Sequence, residues 1–446
     1  MFKNYTALCL VLTFLCCGLF TPAHAQVIIR DTEIEAYMQE WFAPIYEAAG
    51  KDASQVDIIM IQNNDVNAFV AGGANIFFYT GLLQKTDNPG EVIAVMAHEL
   101  GHIEGGHLIR GREAMENASY ESIIGAILGL GAALATGDGG AAATIGTGSS
   151  SMAQRRFLSE FRKYESGADQ AAMRYMTQAG INPSGMLTFM QKLEDQELLP
   201  ASQQSEYIRT HPLTRDRVNA IEARVNQTEL KDKPLPAEWV DQHTRMKAKL
   251  LGFIQPQQVE WTYDVRDKSL EAVYARAIAD YRQNRIPEAL RNIDDLIARE
   301  PSNPYFHELK GQMLVDFGRL EEAKPYYERA LELEPNAALF SIALAHAQIE
   351  TAGTNKDALD AALKNLKRAE LSEKRSSRLH RLMATAYGRL GRDPEAKLHL
   401  AEEAVLQRRY AYAKQQAEAA ASRLKEGSAD WLRAHDILNY VEQQKG

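Results

Sequence analysis

His98-Glu99-Leu100-Gly101-His102 sets two histidines four residues apart, with a glutamate directly after the first. On a helix each residue advances by about 100°, so the two imidazoles fall within about 40° of each other, one turn apart on one face. At that separation both can grip one zinc ion, and Glu99 stands beside them to take a proton from a water that the ion acidifies. Val92, Ile93, Val95, Met96 and Leu100 make the surrounding helix apolar nearly all round, the pattern of a buried segment. A catalytic zinc needs three protein ligands and one open position, so another donor must arrive from elsewhere in the chain.

His107 is near in sequence but is a poor ligand. Five residues beyond His102, it points about 140° away around the helix. It suits a place beside the ligands, bonding a neighbouring carboxylate or backbone group, or a plain structural role. Glu165 is the better third ligand. The pattern from Phe157 to Ala179 predicts a helix on which Glu165 and Asp169 share a face. Glu165 can then reach the metal while Asp169 accepts the free ring N–H of a ligand histidine, fixing its tautomer. A solvated acidic pair is the alternative, but Ala168, Ala171, Ala172 and Met173 leave room for close helix packing. Thr210-His211-Pro212 precedes a further helical run, and proline suits a first helical position, so His211 is expected at a helix entry. There it either donates to the oxyanion of a tetrahedral intermediate or binds zinc at rest and displaces water. Arg217 is placed to pair with a carboxylate and hold that helix.

These residues need a scaffold, and the pattern supplies one from residue 26 to 255. Ile34, Tyr37, Met38, Trp41 and Ile45 recur at helical spacing. Alternation at Val56, Ile58 and Met60 reads as a strand. Gly72-Gly73 between Ala68-Phe69-Val70 and Ile76-Phe77-Phe78-Tyr79 reads as a hairpin. A helix follows from about Pro89. Residues 123–135 are apolar and 136–151 are rich in Gly, Ala, Ser and Thr. Thirteen apolar residues are too few to span a bilayer, which needs about 20. This stretch is a buried turn with a loop, a lid, a plug, or an element giving peripheral membrane contact.

From 264 to 446 the pattern is almost wholly helical and repeats. Glu288-Ala289 returns as Glu322-Ala323, and Glu300-Pro301 as Glu334-Pro335, each 34 residues later. That is the tetratricopeptide period, a pair of antiparallel helices per unit. Later units are looser, with Asp357-Ala358 and Glu395-Ala396 at spacings of 35 and 38. About four units are expected, with the last helices capping the stack. The fold class is therefore mainly α, an α+β domain with a small sheet followed by an α-solenoid.

The chain has 446 residues, a net charge of −9 and 45% hydrophobic residues, enough for two or three domains with their own cores. The acidic balance argues against nucleic acid as a partner. Lys3, the apolar run Ala7–Phe20 and Ala23-His24-Ala25 read as a signal peptide, residues 1–25. All three cysteines, Cys9, Cys16 and Cys17, lie within it. Once it is removed, neither disulfides nor a cysteine nucleophile remain to be considered, and the expected location is the periplasm.

The set His98, Glu99, His102 and His107, then Glu165 with Asp169, then His211-Pro212, resembles the HtpX-type gluzincin peptidases. Asn67–Val70 and Ile76–Leu83 look like that family's strands before the metal helix. The resemblance implies a zincin-type metallopeptidase domain over 26–255, one zinc per chain at His98, His102 and Glu165, and Glu99 as general base. Members with a signal peptide and a tetratricopeptide array are linked to quality control of outer-membrane β-barrel proteins. Unfolded or stalled clients would be the substrates, and the repeats would dock to the assembly machinery with chaperone-like effect. The His-Pro histidine, here His211, caps zinc and restrains activity in such relatives. Two other readings stay open: a repeat scaffold whose zinc site is inhibited or regulatory, and a metal-dependent hydrolase of non-peptide bonds.

Overall fold

In the computed structural model the described residues are 27–106, 150–197, 199–200 and 203–444. The signal-peptide segment, His107 and residues 123–149 lie outside them. Contacts divide the chain into two units. One runs through Arg30 and takes up again from Trp41 to Leu235; the other holds Asp31–Glu40 and the chain from Pro236.

The first unit contains a four-stranded sheet: β1 (Val27–Ile29), β2 (Asp57–Gln62), β3 (Ala68–Ala71) and β4 (Asn75–Tyr79), in the order β1-β2-β4-β3. The Gly-Gly hairpin forms as expected. β3 runs antiparallel to β4 with Phe69 opposite Phe77, whose rings stack at 5.0 Å. Gly72 and Gly73 adopt φ of 62° and 108°, which side-chain-bearing residues rarely reach. β2 pairs parallel with β4, so β4 is central and β3 is the outer strand on that side. Helix α1 (Thr32–Ala48) carries the anticipated apolar face, with Trp41, Phe42 and Ile45 fully buried.

After a short α2 (Thr80–Lys85), helix α3 (Pro89–Glu104) starts from an Asn88 cap, whose side chain accepts the Glu91 N–H, with proline in the first turn. Every residue of α3 from Pro89 to His102 is buried. It packs against α4 (Ser150–Gln178) and α5 (Ser184–Glu197), and glycine permits both crossings. A Cβ on Gly101 would stand 2.9 Å from the Ala168 Cα, and one on Gly185 would stand 2.4 Å from the Gly90 carbonyl carbon. The short α6 (Glu206–Thr210) and α7 (Arg215–Gln227) complete the site's scaffold.

The second unit contains α8 (Ala237–Ile254) and a short α9 (Val259–Thr262). Five antiparallel helix pairs follow. They are α10 (Leu270–Arg282) with α11 (Ile286–Arg299), α12 (Pro304–Asp316) with α13 (Leu320–Leu333), and α14 (Ala338–Thr351) with α15 (Lys356–Glu370). Then come α16 (Ser377–Arg389) with α17 (Asp393–Leu406) and α18 (Tyr410–Ala421) with α19 (Ala429–Gln443). The turn inside each of the first four pairs holds one residue of positive φ: Asn284, Gly318, Gly353 and Gly391. The repeated alanines Ala289 and Ala323 are fully buried, which is why small residues recur there, whereas Ala358 of the looser third unit is only half-buried. Among the described residues no helix is long and apolar enough to cross a membrane.

The α3–α4 crossing leaves no room for a side chain at 101. Gly101→Val should cost about 1–3 kcal/mol of stability by overpacking, read as a lower urea midpoint. An unchanged midpoint would show that the crossing tolerates bulk.

Candidate metal centre

The hydrogen-bonded turn of α3 brings His98 and His102 together, with their Nε2 atoms 3.0 Å apart. From α4, Glu165 presents Oε1 at 3.3 Å from His102 Nε2 and Oε2 at 3.5 Å from His98 Nε2. His211 completes the group, its Nδ1 lying 3.4 Å from His98 Nε2 and 3.2 Å from Glu165 Oε2. The donor atoms of these four residues all lie within 4.8 Å of one another. Glu165 is therefore not a solvated surface acid; it is 2% exposed.

His211 is held differently from the sequence expectation. The helix beyond Pro212 begins only at Arg215, capped by the Thr214 hydroxyl, so His211 does not sit at its entry. It instead closes the C-terminal end of α6, where its N–H donates to the Tyr207 carbonyl at 2.7 Å. The α6 turn also places the Tyr207 ring 4.7 Å from the imidazole. Tyr207 was not singled out in the sequence. Its signal there is only the spacing of one helical turn before the histidine.

Asp169 Oδ1 approaches His98 Nδ1 at 3.0 Å, one turn along α4 from Glu165. With a proton on Nδ1, Nε2 of His98 keeps a lone pair toward the cluster. Arg217 joins the two acids. It donates to Asp169 through Nε at 2.7 Å and a terminal nitrogen at 2.8 Å, approaches Glu165 at 3.1 Å, and donates to the Pro212 carbonyl at 2.7 Å. This bidentate pairing fixes α7 against α4.

The cluster is arranged around positive charge. Burial opposes protonation of His98, yet the Asp169 and Glu165 carboxylates raise its pKa to about 10. Burial lowers His102 to about 3, despite the same Glu165. Burial would raise Glu165 and Asp169, but His211 and Arg217 hold the first well below the usual carboxylate range, and Arg217 holds the second below it. Glu99 is raised, chiefly by burial. The two Nε2 atoms at 3.0 Å can share one proton, or, where both turn lone pairs inward, one cation. Glu99 Oε1 and His211 Nε2 face each other at 3.4 Å, both buried and neither hydrogen-bonded. Two imidazoles and a carboxylate, with a third imidazole in reach, are a donor set that suits zinc.

Removing the guanidinium would strand two buried carboxylates. Arg217→Ala is expected to cost about 3–5 kcal/mol in chemical denaturation, with Arg217→Lys recovering part of it. A loss below about 1 kcal/mol would mean that the pair is compensated elsewhere.

Residues 29–225 match the model of peptidase family M48, and residues 274–338 and 314–369 match tetratricopeptide repeats. The chain is 26% identical over 331 residues to the beta-barrel assembly-enhancing protease of Escherichia coli K12, covering 72% of this chain and 66% of that protein. A protein of the same name from Yersinia pestis is 25% identical over 331 residues, covering 72% of this chain and 67% of its own. Metalloprotease LoiP of Escherichia coli K12 is 30% identical over 169 residues, covering 37% of this chain and 62% of that one. The match thus spans just under two thirds of the Escherichia coli assembly-enhancing protease. The stretch that matches peptidase family M48 contains His98, His102, Glu165 and His211, and the stretches that match tetratricopeptide repeats lie among the paired helices α10–α15.

Proposed function

We propose that this protein is a zinc-dependent endopeptidase of the periplasm, acting on unfolded or stalled outer-membrane β-barrel proteins. The convergence of His98, His102, Glu165 and His211 in one water-poor volume carries this reading. The names of the relatives support the client class. His98, His102 and Glu165 would hold one zinc ion, which when bound would polarise the scissile carbonyl and acidify the attacking water.

The remaining work falls to the chain's own side chains. Glu99 would take the water's proton at Oε1, which is buried, unbonded and turned toward His211. Asp169 and Arg217 fix the His98 tautomer and the Glu165 orientation. His211 lies between the ligand set and the base, Nδ1 toward one and Nε2 toward the other. In that position it would serve as a resting ligand that keeps water from Glu99, and the site would stay closed until the α6 turn moves. β3 is the outer strand but is buried along its length, so an extended substrate can add to its edge only after what covers it moves aside. The repeats dock to the outer-membrane assembly machinery and supply a chaperone-like hold.

Glu99→Gln should keep its zinc while cleavage of a casein-like substrate falls by at least about 100-fold; full activity refutes the assignment. Glu165→Ala should lower zinc content in metal analysis of the purified protein, and unchanged stoichiometry would place the third ligand elsewhere. His211→Ala should raise or preserve cleavage if the imidazole blocks the site. A steep loss would instead make it the oxyanion donor.

A further inference from the structure

A second group of metal-type donors lies far along the chain, within the repeat unit. His380 stands in the first turn of α16, His399 and Glu402 lie one turn apart on α17, and Glu370 ends α15. Both histidines are 3% exposed. Their Nδ1 atoms are 3.1 Å apart, and each faces Glu402 Oε2, at 3.0 Å from His380 and 2.8 Å from His399. With Glu370 included, the four donor atoms lie within 4.8 Å of one another.

The proton positions make this more than a polar cluster. His380 Nε2 is 2.9 Å from the Lys374 carbonyl, which can only accept, so the proton of the neutral ring is on Nε2. Nδ1 then carries a bare lone pair, aimed at a second ring nitrogen and at a carboxylate oxygen. Glu402 Oε2 is buried with no hydrogen bond of its own, although both rings approach it. A backbone carbonyl fixing one nitrogen so that the other points at a shared centre is the arrangement that orients ligand histidines. Arg433 of α19 grips the outer oxygens, donating to Glu402 Oε1 at 2.9 Å and Glu370 Oε1 at 2.6 Å. It orients both carboxylates and leaves Glu402 Oε2 to the two rings. Two carboxylates against one guanidinium leave net negative charge for a dication. The Tyr387 ring stacks on His399 at 5.5 Å, almost parallel, and fixes its plane.

We propose that His380, His399, Glu402 and Glu370 form a second metal site that takes one divalent ion of the zinc class and fastens the α16–α17 pair to the end of α15. Two imidazoles exclude calcium and magnesium, which prefer oxygen-only shells, and fit zinc. The ion stabilises the last repeats because the unfolded chain offers no preformed site.

The test counts zinc in the full-length protein after equilibration at micromolar free zinc. The unaltered chain should hold two ions, and His98→Ala/His102→Ala should hold one. In that double variant zinc should raise the melting temperature. Adding Glu402→Gln, which keeps the side chain's volume, should abolish both the remaining ion and the shift, and His399→Gln should do the same. His399→Gln in the otherwise unaltered chain should leave peptide cleavage unchanged, which shows that the fold survives. The proposal is overturned if the double variant holds no ion, or if Glu402→Gln and His399→Gln keep the second. One ion in both the unaltered chain and the double variant would instead overturn the reading of the first site.

Discussion

Acids and imidazoles crowd a volume from which water is excluded, and only positive charge can keep them there. Glu165 and Asp169 are almost fully buried, where an uncompensated carboxylate would cost several kcal/mol. Arg217 supplies one permanent charge, and the donor atoms of His98, His102, Glu165 and His211 are grouped closely enough that one shared cation could supply the rest. Everything in the first unit follows from that compensation. Helix α3 is buried from Pro89 to His102, and α4 crosses it at glycine distance, because the carboxylates must come within reach of the rings.

The same constraint explains why the loop between α6 and α7 matters. It contributes both a histidine to the cluster and, through the Pro212 carbonyl, an anchor for the guanidinium that neutralises the acids. A movement of the α6 turn large enough to withdraw His211 therefore perturbs the Arg217 pairing as well. One short segment thus serves both the donor cluster and its charge balance.

The helical repeats solve a different problem. Each pair buries small residues such as Ala289 and Ala323, and each of the first four closes its turn with a left-handed residue. Stability along such an array comes from neighbouring pairs alone, so its end is its weakest part. Buried histidines and half-buried glutamates gathered from α15, α16 and α17, with an arginine from α19, concentrate polar cross-links at that end.

Local rules made much of this legible. HExxH spacing fixes two imidazoles on one helical face. A Gly-Gly pair between apolar runs makes a hairpin, and a 34-residue period makes helix pairs, because in each case the geometry is set by residues close in sequence. His211 does not stand at the α7 entry, because Pro212 suits a helix start but does not compel one and Thr214 supplies a better cap two residues later. The second histidine cluster left no motif, since its donors come from three helices spaced by repeat packing. The sequence alone therefore determined which side chains could bind metal and which helices carry two of them in register. Only the tertiary structure decided that Glu165, Asp169, His211 and Arg217 meet those histidines, because contacts between distant segments depend on how closely helices can cross, and spacing along the chain does not encode that distance.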